Sequence, residues 1–297
     1  MTRTVAILGP GAVGGTFAVR LCEAHHRTIC VGTPEIVRLM ALSGLTLESN
    51  GSKPVNVRPM TAEQLVEPVS LLLITVKAPY LADALERIEP EAVEHAVVLP
   101  LLNGLEHVEI IRARFPGRVA AGTLSQFEAY RVGRMQIVQG TPSGVVTIAS
   151  DDVSANELER AAAILRTAGM QVELEDDERR VLWRKAARAA VVSSATALSR
   201  KTIGELRTDP EWRPRMEQAL TEACAVATAD GVTMMLSAQW TRIVEMDPQL
   251  TTSAARDVLA GKRHEIDAIA GSVVRAGERL GIPCPVLTRL VAQADAL

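Results

Sequence analysis

The sequence predicts an α/β domain followed by an all-α domain. The apolar, β-branched run Thr4–Leu8 leads directly into a glycine-rich turn, and apolar residues at helical spacing follow that turn. Strand-like and helix-like segments then alternate through the first half of the chain. Strand patterns stop after about Asp176, and long helical patterns replace them. We therefore predict a doubly wound domain over residues 1–175 and a helical domain over residues 176–297.

The glycine-rich turn carries the most specific pattern. Gly9, Gly11 and Gly14 have Gly-x-Gly-x-x-Gly spacing between a predicted strand and a predicted helix. Gly9 would permit the tight turn, Gly11 the approach of a pyrophosphate, and Gly14 close helix–strand packing. The helix start, with Ala12 and Val13, offers unpaired N–H groups and a positive dipole end. The pattern predicts a Rossmann-type dinucleotide site; the alternative is a glycine-rich turn that binds nothing.

Periodicity predicts the other elements of the first domain. Continuous apolar runs at 70–76 and 96–101 are typical of buried parallel strands. Further strands are predicted at 28–32, 45–48, 55–59, 119–122 and 171–174, with antiparallel strands within 125–148 and a hairpin turn over Ser49, Asn50 and Gly51. Helices are predicted at 34–43, bounded by Pro34 and Gly44, and at 80–88 and 155–168.

Helical patterns account for most of the second domain. They cover 178–198, 214–230, 237–245, 252–260 and 264–280. In two-domain dehydrogenases of this order, the second domain usually supplies substrate and catalytic groups. The reacting side chains are therefore expected after residue 175.

Composition excludes several classes of partner. The chain has 297 residues, a net charge of −3 and 47% hydrophobic residues. This charge gives no electrostatic surface for nucleic acid or an anionic membrane, and no apolar run is long enough to span one. Four cysteines without paired spacing indicate reduced thiols and a cytoplasmic protein. We expect no leader peptide, because the first strand begins at once, and no bound metal.

Lys185 is the candidate proton donor. Carbonyl reduction by hydride transfer leaves negative charge on oxygen, which a nearby acid must neutralise. Lys185 is followed at four and eight residues by Ala189 and Ser193, so small side chains share its helical face. That stripe leaves room for a small ligand. The alternative is a solvated surface lysine, the usual position for this residue.

Three other residues allow both a structural and a functional interpretation. Asn103 and Gly104 form a turn pattern, yet they follow a buried strand, where ligands of doubly wound sheets bind. Glu265 would lie near a helix start, where its charge stabilises the helix dipole. No one of these residues decides the function.

Together, the motifs resemble one family, the ketopantoate reductases (2-dehydropantoate 2-reductases). The similarity covers nearly the whole chain. It rests on residues 9–14, 75–78, 102–104, 182–185, 261–267 and 281–285, which resemble the family's glycine turn, strand-end lysine segment, Asn-Gly segment, Trp-x-Lys helix, Glu-Ile-Asp run and closing Gly-Ile-x-x-Pro. The resemblance implies a 6-phosphogluconate-dehydrogenase-like fold.

The resemblance also implies roles for individual residues. Lys185 would be the general acid, and Glu265 would hold a substrate hydroxyl and orient the lysine. Asn103 would hold substrate or nicotinamide, Ser253 would bind the substrate carboxylate, and Lys77 would lie near the cofactor. The implied reaction is hydride transfer from NADPH to 2-dehydropantoate, giving (R)-pantoate for pantothenate biosynthesis.

The chain departs from the family at two places. The family's asparagines four and eight residues past the lysine are Ala189 and Ser193 here, and Arg188 adds a charge. Ser193 remains a candidate substrate contact, but a different 2-oxo acid becomes plausible. The arginine that would bind the NADP 2′-phosphate is replaced by Thr33, with Arg38 one turn further on. No aspartate or glutamate follows the second predicted strand, at 28–32, which favours NADP and leaves NAD open.

Three functions are therefore weighed. The first is an NADP-dependent 2-dehydropantoate reductase, with a small-molecule 2-oxo acid as its partner. The second is a relative acting on another 2-oxo or 2-hydroxy acid, which the missing asparagines favour. The third is a non-catalytic dinucleotide-binding sensor, against which the joint presence of Lys185, Ser253 and Glu265 argues. The long helices could also pack against a second copy, so a homodimer is left open.

Overall fold

In the computed structural model, which describes residues 2–49 and 52–297, the chain divides into two compact units. The first extends to Leu102 and resumes over His107–Val181. The second takes in the short segment Asn103–Glu106 together with Leu182–Leu297. The domain boundary between residues 175 and 176 stays a prediction from the sequence.

The first unit is built from strands with helices between them, as predicted. Its strands are β1 (Thr4–Leu8), β2 (Arg27–Val31), β3 (Leu45–Ser49), β4 (Val55–Val57), β5 (Met60–Ala62), β6 (Leu71–Ile74), β7 (Val97–Pro100), β8 (Ala121–Ser125), β9 (Ala129–Arg131), β10 (Gln136–Gln139), β11 (Val145–Ala149) and β12 (Gln171–Leu174). Its helices are α1 (Ala12–Glu23), α2 (Pro34–Ser43), α3 (Leu81–Leu85), α4 (His107–Arg114) and α5 (Ala155–Thr167).

A five-stranded parallel sheet with the order β5-β2-β1-β6-β7 positions the glycine turn. Strand β1 pairs with β2 on one side and with β6 on the other. The strand order therefore reverses at β1: β2 and β5 lie on one side of it, and β6 and β7 lie on the other. Ligands of doubly wound sheets bind in the crevice at this point, outside the carboxyl ends of the strands.

Two smaller sheets complete the unit, with the orders β4-β3-β10-β9 and β12-β11-β8. The predicted pairing of β3 with β4 is antiparallel, although the turn residues Asn50 and Gly51 lie outside the described residues. Strands β9 and β10 are antiparallel, as predicted. However, β10 also pairs in parallel with β3, and β11 with β12. The alternating segment 125–148 is therefore divided between two sheets.

The predicted helix over residues 80–88 is wrong in length. A 3₁₀ turn at Ala78–Tyr80 precedes α3, which ends at Leu85. The cause lies in the next residues, because the carbonyl of Arg87 accepts from the Leu65 amide at 2.7 Å and the Glu89 amide donates to the Leu65 carbonyl at 3.0 Å. These bonds hold the chain in a bridge and prevent the helix from continuing.

The second unit is helical throughout its regular structure. Its elements are α6 (Glu178–Ser199, which begins in the first unit), α7 (Ile203–Thr208), α8 (Trp212–Ala229), α9 (Leu236–Val244), α10 (Ser253–Leu259), a π-helical turn (Asp267–Gly271), α11 (Ser272–Leu280) and α12 (Pro285–Asp295). The predicted helix over 264–280 therefore begins three residues late, at Asp267, and with π geometry. The ring Nδ1 of His264 accepts from the Ile266 amide at 3.4 Å, which holds the residues before the helix in a loop.

Three helices were missed in the sequence, namely α4 in the first unit and α7 and α12 in the second. A capping box between Thr202 and Glu205 starts α7, and this short pattern was visible in the sequence. Helix α12 starts at Pro285, and the Glu222 carboxylate accepts from the next two amides at 2.8 and 2.9 Å. Glu222 lies more than 60 residues before these amides in the chain, so no local sequence pattern predicts this cap.

Each unit has its own apolar core. In the first, Val, Leu and Ile side chains of the strands pack with Phe17 of α1. In the second, the core centres on α6 and α8 and includes Trp183, whose side chain is 1% exposed. The indole N–H of Trp183 donates to Asp230 at 2.7 Å, just past the end of α8. This bond ties α6 to the end of α8, two residues before Lys185.

Candidate active site

The glycine turn adopts the geometry that its spacing predicts. Gly9 has φ of +84°, and a Cβ atom there would lie 2.3 Å from Cγ1 of Val76. The Thr75 hydroxyl donates to the Gly9 carbonyl at 2.8 Å. These contacts bring the end of β6, and with it the half-buried Lys77, beside the turn. Gly9 and Lys77 therefore share the carboxyl edge of the parallel sheet.

Positions 11 and 14 are occupied by glycine for different reasons. A Cβ on Gly14 would lie 2.2 Å from the Thr75 hydroxyl and 2.6 Å from the Gly9 carbonyl, so helix–sheet packing requires this glycine. A Cβ on Gly11 would meet nothing closer than that carbonyl, at 3.9 Å. The first turn of α1, with Ala12 and Val13, has no side-chain cap. Gly11 thus leaves an open cradle against a helix N-terminus, which fits a pyrophosphate.

Thr33 and Arg38 lie beyond the second strand. Thr33 is the exposed N-cap of α2, and its hydroxyl oxygen accepts from the Ile36 amide at 3.5 Å. Arg38 is exposed on the same helix. The nearest acid along the chain, Glu35, forms a salt bridge with Arg134 at 2.7 Å.

Lys185 and Glu265 form the charged centre of the second unit. Lys185 is half-buried, and Glu265 is only 6% exposed. Burial lowers the pKa of Lys185 from its ordinary 10.5 to about 8; Glu265 opposes this shift and Arg188 adds to it. The lysine is therefore not a solvated surface residue. Its amine remains mostly protonated near neutrality but can release its proton readily.

The serine candidates lie on α6 and at the start of α10. Ser193 is buried, two turns along α6 from Lys185. Ser253 is exposed in the first turn of α10, directly after the N-cap Thr252. The hydroxyls of Thr252 and Thr196 lie 2.8 Å apart, which ties the start of α10 to α6. Both serines thus depend on the helix that carries Lys185.

The Asn103 segment packs against the π-helical turn. Gly104 has φ of +96°, and a Cβ there would lie 2.0 Å from the Ala268 carbonyl oxygen. Only glycine permits this approach. Since Ala268 follows Glu265 by three residues, the segment and the carboxylate belong to one region of the second unit. Asn103 itself is half-buried.

Sequence reasoning missed the ion pair that closes this segment. Glu106 accepts from Nε and an Nη of Arg275, both at 2.8 Å, and Arg275 also donates to Asp267 at 2.8 Å. Asp267 therefore has a structural role as a partner of Arg275. No pattern in the chain links Glu106 with Arg275.

Three further features concern metal ligands, membrane-spanning helices and thiols. Among residues 2–49 and 52–297, no group of acidic, histidine and cysteine side chains could hold a metal, and no helix could cross a membrane. All four cysteines are free thiols.

Comparison with known proteins decides the family. Residues 5–152 match the family model described as ketopantoate reductase PanE/ApbA, and residues 177–297 match the model of its C-terminal part. The chain belongs to the ketopantoate reductase family. The fold predicted from the sequence and the resemblance on which it partly rested are both confirmed.

Curated relatives carry the same family's activity in their names. The chain is 28% identical to a 2-dehydropantoate 2-reductase of Vibrio cholerae, over 99% of this chain and 97% of the relative. It is 26% identical to one of Archaeoglobus fulgidus, over 95% and 93%. At the level of the family, this ketopantoate reductase homologue is an oxidoreductase acting on CH–OH groups.

Solved structures show the same architecture. A PanE/ApbA family ketopantoate reductase from Ralstonia eutropha JMP134 is 29% identical, with a TM-score of 0.89 over 99% of this chain and 97% of that chain. A D-mandelate dehydrogenase solved with NADH and anilino(oxo)acetate is 22% identical, with a TM-score of 0.90 over 99% and 97%. Both share the fold, and the second is named with a nicotinamide dinucleotide.

Proposed function

We propose that this ketopantoate reductase family member reduces 2-dehydropantoate to (R)-pantoate, with NADPH as reductant and Lys185 as general acid. One arrangement carries the proposal: Lys185 is half-buried near the buried Glu265. Burial lowers the pKa of the lysine to about 8, and the charge of Glu265 opposes this shift. A protonated amine in such surroundings can both bind a carbonyl oxygen and give up a proton.

The side chains divide the work as follows. Bound NADPH supplies the hydride. The ammonium of Lys185 donates to the carbonyl oxygen, so negative charge developing there is neutralised. Glu265 opposes the effect of burial and keeps the amine protonated. It is also proposed to hold a substrate hydroxyl and to contact the cofactor.

The remaining contacts follow from position. Asn103 would contact substrate or nicotinamide, Ser253 would bind the substrate carboxylate, and Ser193 would contact the substrate. In the first unit, Gly11 leaves the cradle for the pyrophosphate, together with Gly9, Ala12, Val13 and Gly14. Lys77, at the neighbouring strand end, would also contact the cofactor.

NADPH is proposed over NADH because of the end of β2. Thr33 stands where an acid would bind the ribose of NAD, and its hydroxyl can donate to a 2′-phosphate. The carboxylate of Glu35 is neutralised by Arg134. With four free thiols, we place the reaction in the cytoplasm, on the route to pantothenate.

Substitution of the lysine tests the proposed function. We expect Lys185→Ala to lower kcat on 2-dehydropantoate by about 10²-fold or more while the Kd for NADPH stays unchanged. The exposed Lys53, substituted in the same way, is the control and should keep full activity. Equal losses of rate and nucleotide binding in Lys185→Ala would contradict a role as general acid.

A second candidate is reduction of a different 2-oxo acid. Ala189 and Ser193 occupy the positions of the family's two asparagines, and alanine cannot hydrogen-bond a substrate hydroxyl. We expect Ala189→Asn to raise kcat/KM on 2-dehydropantoate if this is the native substrate. An unchanged or lower value, with faster wild-type turnover of 2-oxoisovalerate, would favour the second candidate.

A further inference from the structure

Arg188 is a half-buried cation one turn from the proposed acid. It follows Lys185 by three residues on α6, and residues at this spacing lie on the same helix face, with Cβ atoms about 5–6 Å apart. A guanidinium cannot lose its charge at ordinary pH, so its burial requires compensating partners. The partners that Arg188 has are therefore informative.

The side-chain partner of Arg188 is a neutral amide. One Nη of Arg188 donates to Oε1 of Gln239 on α9. Within the part of the chain that the structure describes, Arg188 forms no salt bridge with an aspartate or glutamate. Burial lowers the pKa of Arg188, the neighbouring Arg242 lowers it further, and Cys224 opposes the shift. Arg188 in turn lowers the pKa of Lys185.

Three other half-buried arginines of this chain, Arg112, Arg118 and Arg275, show the contrast. Arg112 binds Glu178 through two bonds of 2.8 Å, and Arg118 binds Glu157 at 2.6 Å. Arg275 binds Glu106 through Nε and one Nη, each donating to a different carboxylate oxygen. In each case a carboxylate of the chain compensates the guanidinium. The corresponding position beside Arg188 is not filled by an acid of the described residues.

We propose that Arg188 binds the carboxylate of the substrate and makes this enzyme selective for 2-oxo acids over neutral carbonyl compounds. The proposal rests on the proposed function, because it requires the reacting carbonyl to lie at Lys185. In a 2-oxo acid the carboxylate is bonded directly to the carbonyl carbon, so one helix turn suffices to present a donor to each group.

The donor inventory supports this assignment. A guanidinium has five N–H donors, and Gln239 occupies one of them. The remaining donors permit a bidentate carboxylate pair, whose charge-assisted bonds are about twice as strong as neutral ones. Arg188 could thus replace binding lost with the amides at Ala189 and Ser193. The local charge agrees, since Lys185 and Arg188 together exceed the one carboxylate of Glu265, and a monoanion balances them.

The test compares a charged substrate with a neutral one. Arg188→Gln, Arg188→Lys and Arg242→Gln are assayed with NADPH on 2-oxoisovalerate and on its methyl ester. Arg242 is a matched control, because it is a nearby arginine already paired with Glu245 at 3.2 Å. We expect Arg188→Gln to raise KM for the acid by about 10- to 100-fold and to change KM for the ester by less than about 3-fold. Arg188→Lys should recover part of the loss, and Arg242→Gln should resemble wild type.

A binding measurement separates this inference from the proposed function. Calorimetry gives the Kd of oxamate, an unreactive analogue of a 2-oxo acid, in the presence of NADPH. Weaker oxamate binding in Arg188→Gln alone supports the site even if no 2-oxo acid is reduced, a result that would overturn only the proposed function. Equal losses for acid and ester, unchanged oxamate affinity, or no oxamate binding by wild type would overturn the role of Arg188. If Arg188→Gln does not fold, Arg188→Lys decides by the same criteria.

Discussion

Arg275 donates a hydrogen bond of 2.8 Å to each carboxylate oxygen of Glu106, although the two residues are 169 positions apart in the chain. Glu106 ends the segment that begins with Asn103, and Gly104 fixes the middle of this segment against the Ala268 carbonyl. The segment is thus fastened at two points within the second unit. The position of the Asn103 amide therefore depends on a side chain that touches no proposed substrate group.

Loss of this ion pair should reduce catalysis more than stability. We expect Arg275→Met to lower kcat by about 10-fold, because small displacements of a positioning group are costly to the rate. The melting temperature should change little, since both side chains are about 40% exposed. Steady-state kinetics and thermal unfolding measure the two effects.

Arg215 provides the matched control for Arg275. It is 43% exposed, forms a salt bridge with Glu211 at 2.6 Å, and lies on α8 of the same unit. Arg215→Met should keep full activity. Glu106→Gln should reproduce the Arg275→Met defect, and the double variant should be no worse than either single one. Strictly additive losses would show that the two residues act separately.

The pH dependence follows from the lowered pKa of Lys185. The active form is the protonated amine, so kcat/KM should be level below pH 8 and should fall tenfold per unit above it. A lysine with an ordinary pKa would sustain the rate to about pH 10.5. Rates measured with 2-oxoisovalerate from pH 6 to 10 check this. A profile that stays level to pH 10 would contradict an acid with this pKa.

Neighbouring charges should move that profile in opposite directions. Arg188 lowers the pKa of Lys185, so Arg188→Gln should shift the fall in rate to higher pH. Glu265 raises it, so Glu265→Gln should shift the fall to lower pH. Shifts in the same direction for both variants would indicate a general disturbance of the site.

Substitutions of Gly11 and Gly14 should have different effects. Gly11→Val should fold normally and lose NADPH binding, because the contact given for a Cβ at this position is the Gly9 carbonyl oxygen at 3.9 Å, so the side chain would enter the cradle. Gly14→Val should fail to fold, because Thr75 and the Gly9 carbonyl occupy the space. Circular dichroism and nucleotide titration distinguish the two outcomes. NADPH binding retained by Gly11→Val would refute the placement of the cofactor.

The residues that sequence reasoning identified are those whose partners are nearby or whose role is fixed by local geometry. Gly9 and Gly14 are readable because a strand–turn–helix connection has few solutions, and Lys185 because helical spacing places small residues beside it. The environment of Arg188 depends on Gln239, and that of Asn103 on Arg275. These partners lie on other helices, so only the folded chain reveals them. The π-helical turn at Asp267–Gly271 is similarly unreadable, because its register follows from tertiary contacts.

Cofactor choice can be tested at Thr33 without disturbing the helix that follows. Aspartate is as good an N-cap as threonine, so Thr33→Asp should keep the bond to the Ile36 amide and the stability of α2. The charge of the aspartate would repel a 2′-phosphate, and its carboxylate oxygens can accept hydrogen bonds from the ribose hydroxyls of NADH. We expect KM for NADPH to rise about 10-fold or more and KM for NADH to stay the same or fall. Thr33→Ser, which keeps both the cap and the donor, should behave as wild type. If Thr33→Asp leaves the ratio of the two KM values unchanged, the 2′-phosphate does not bind at the end of β2.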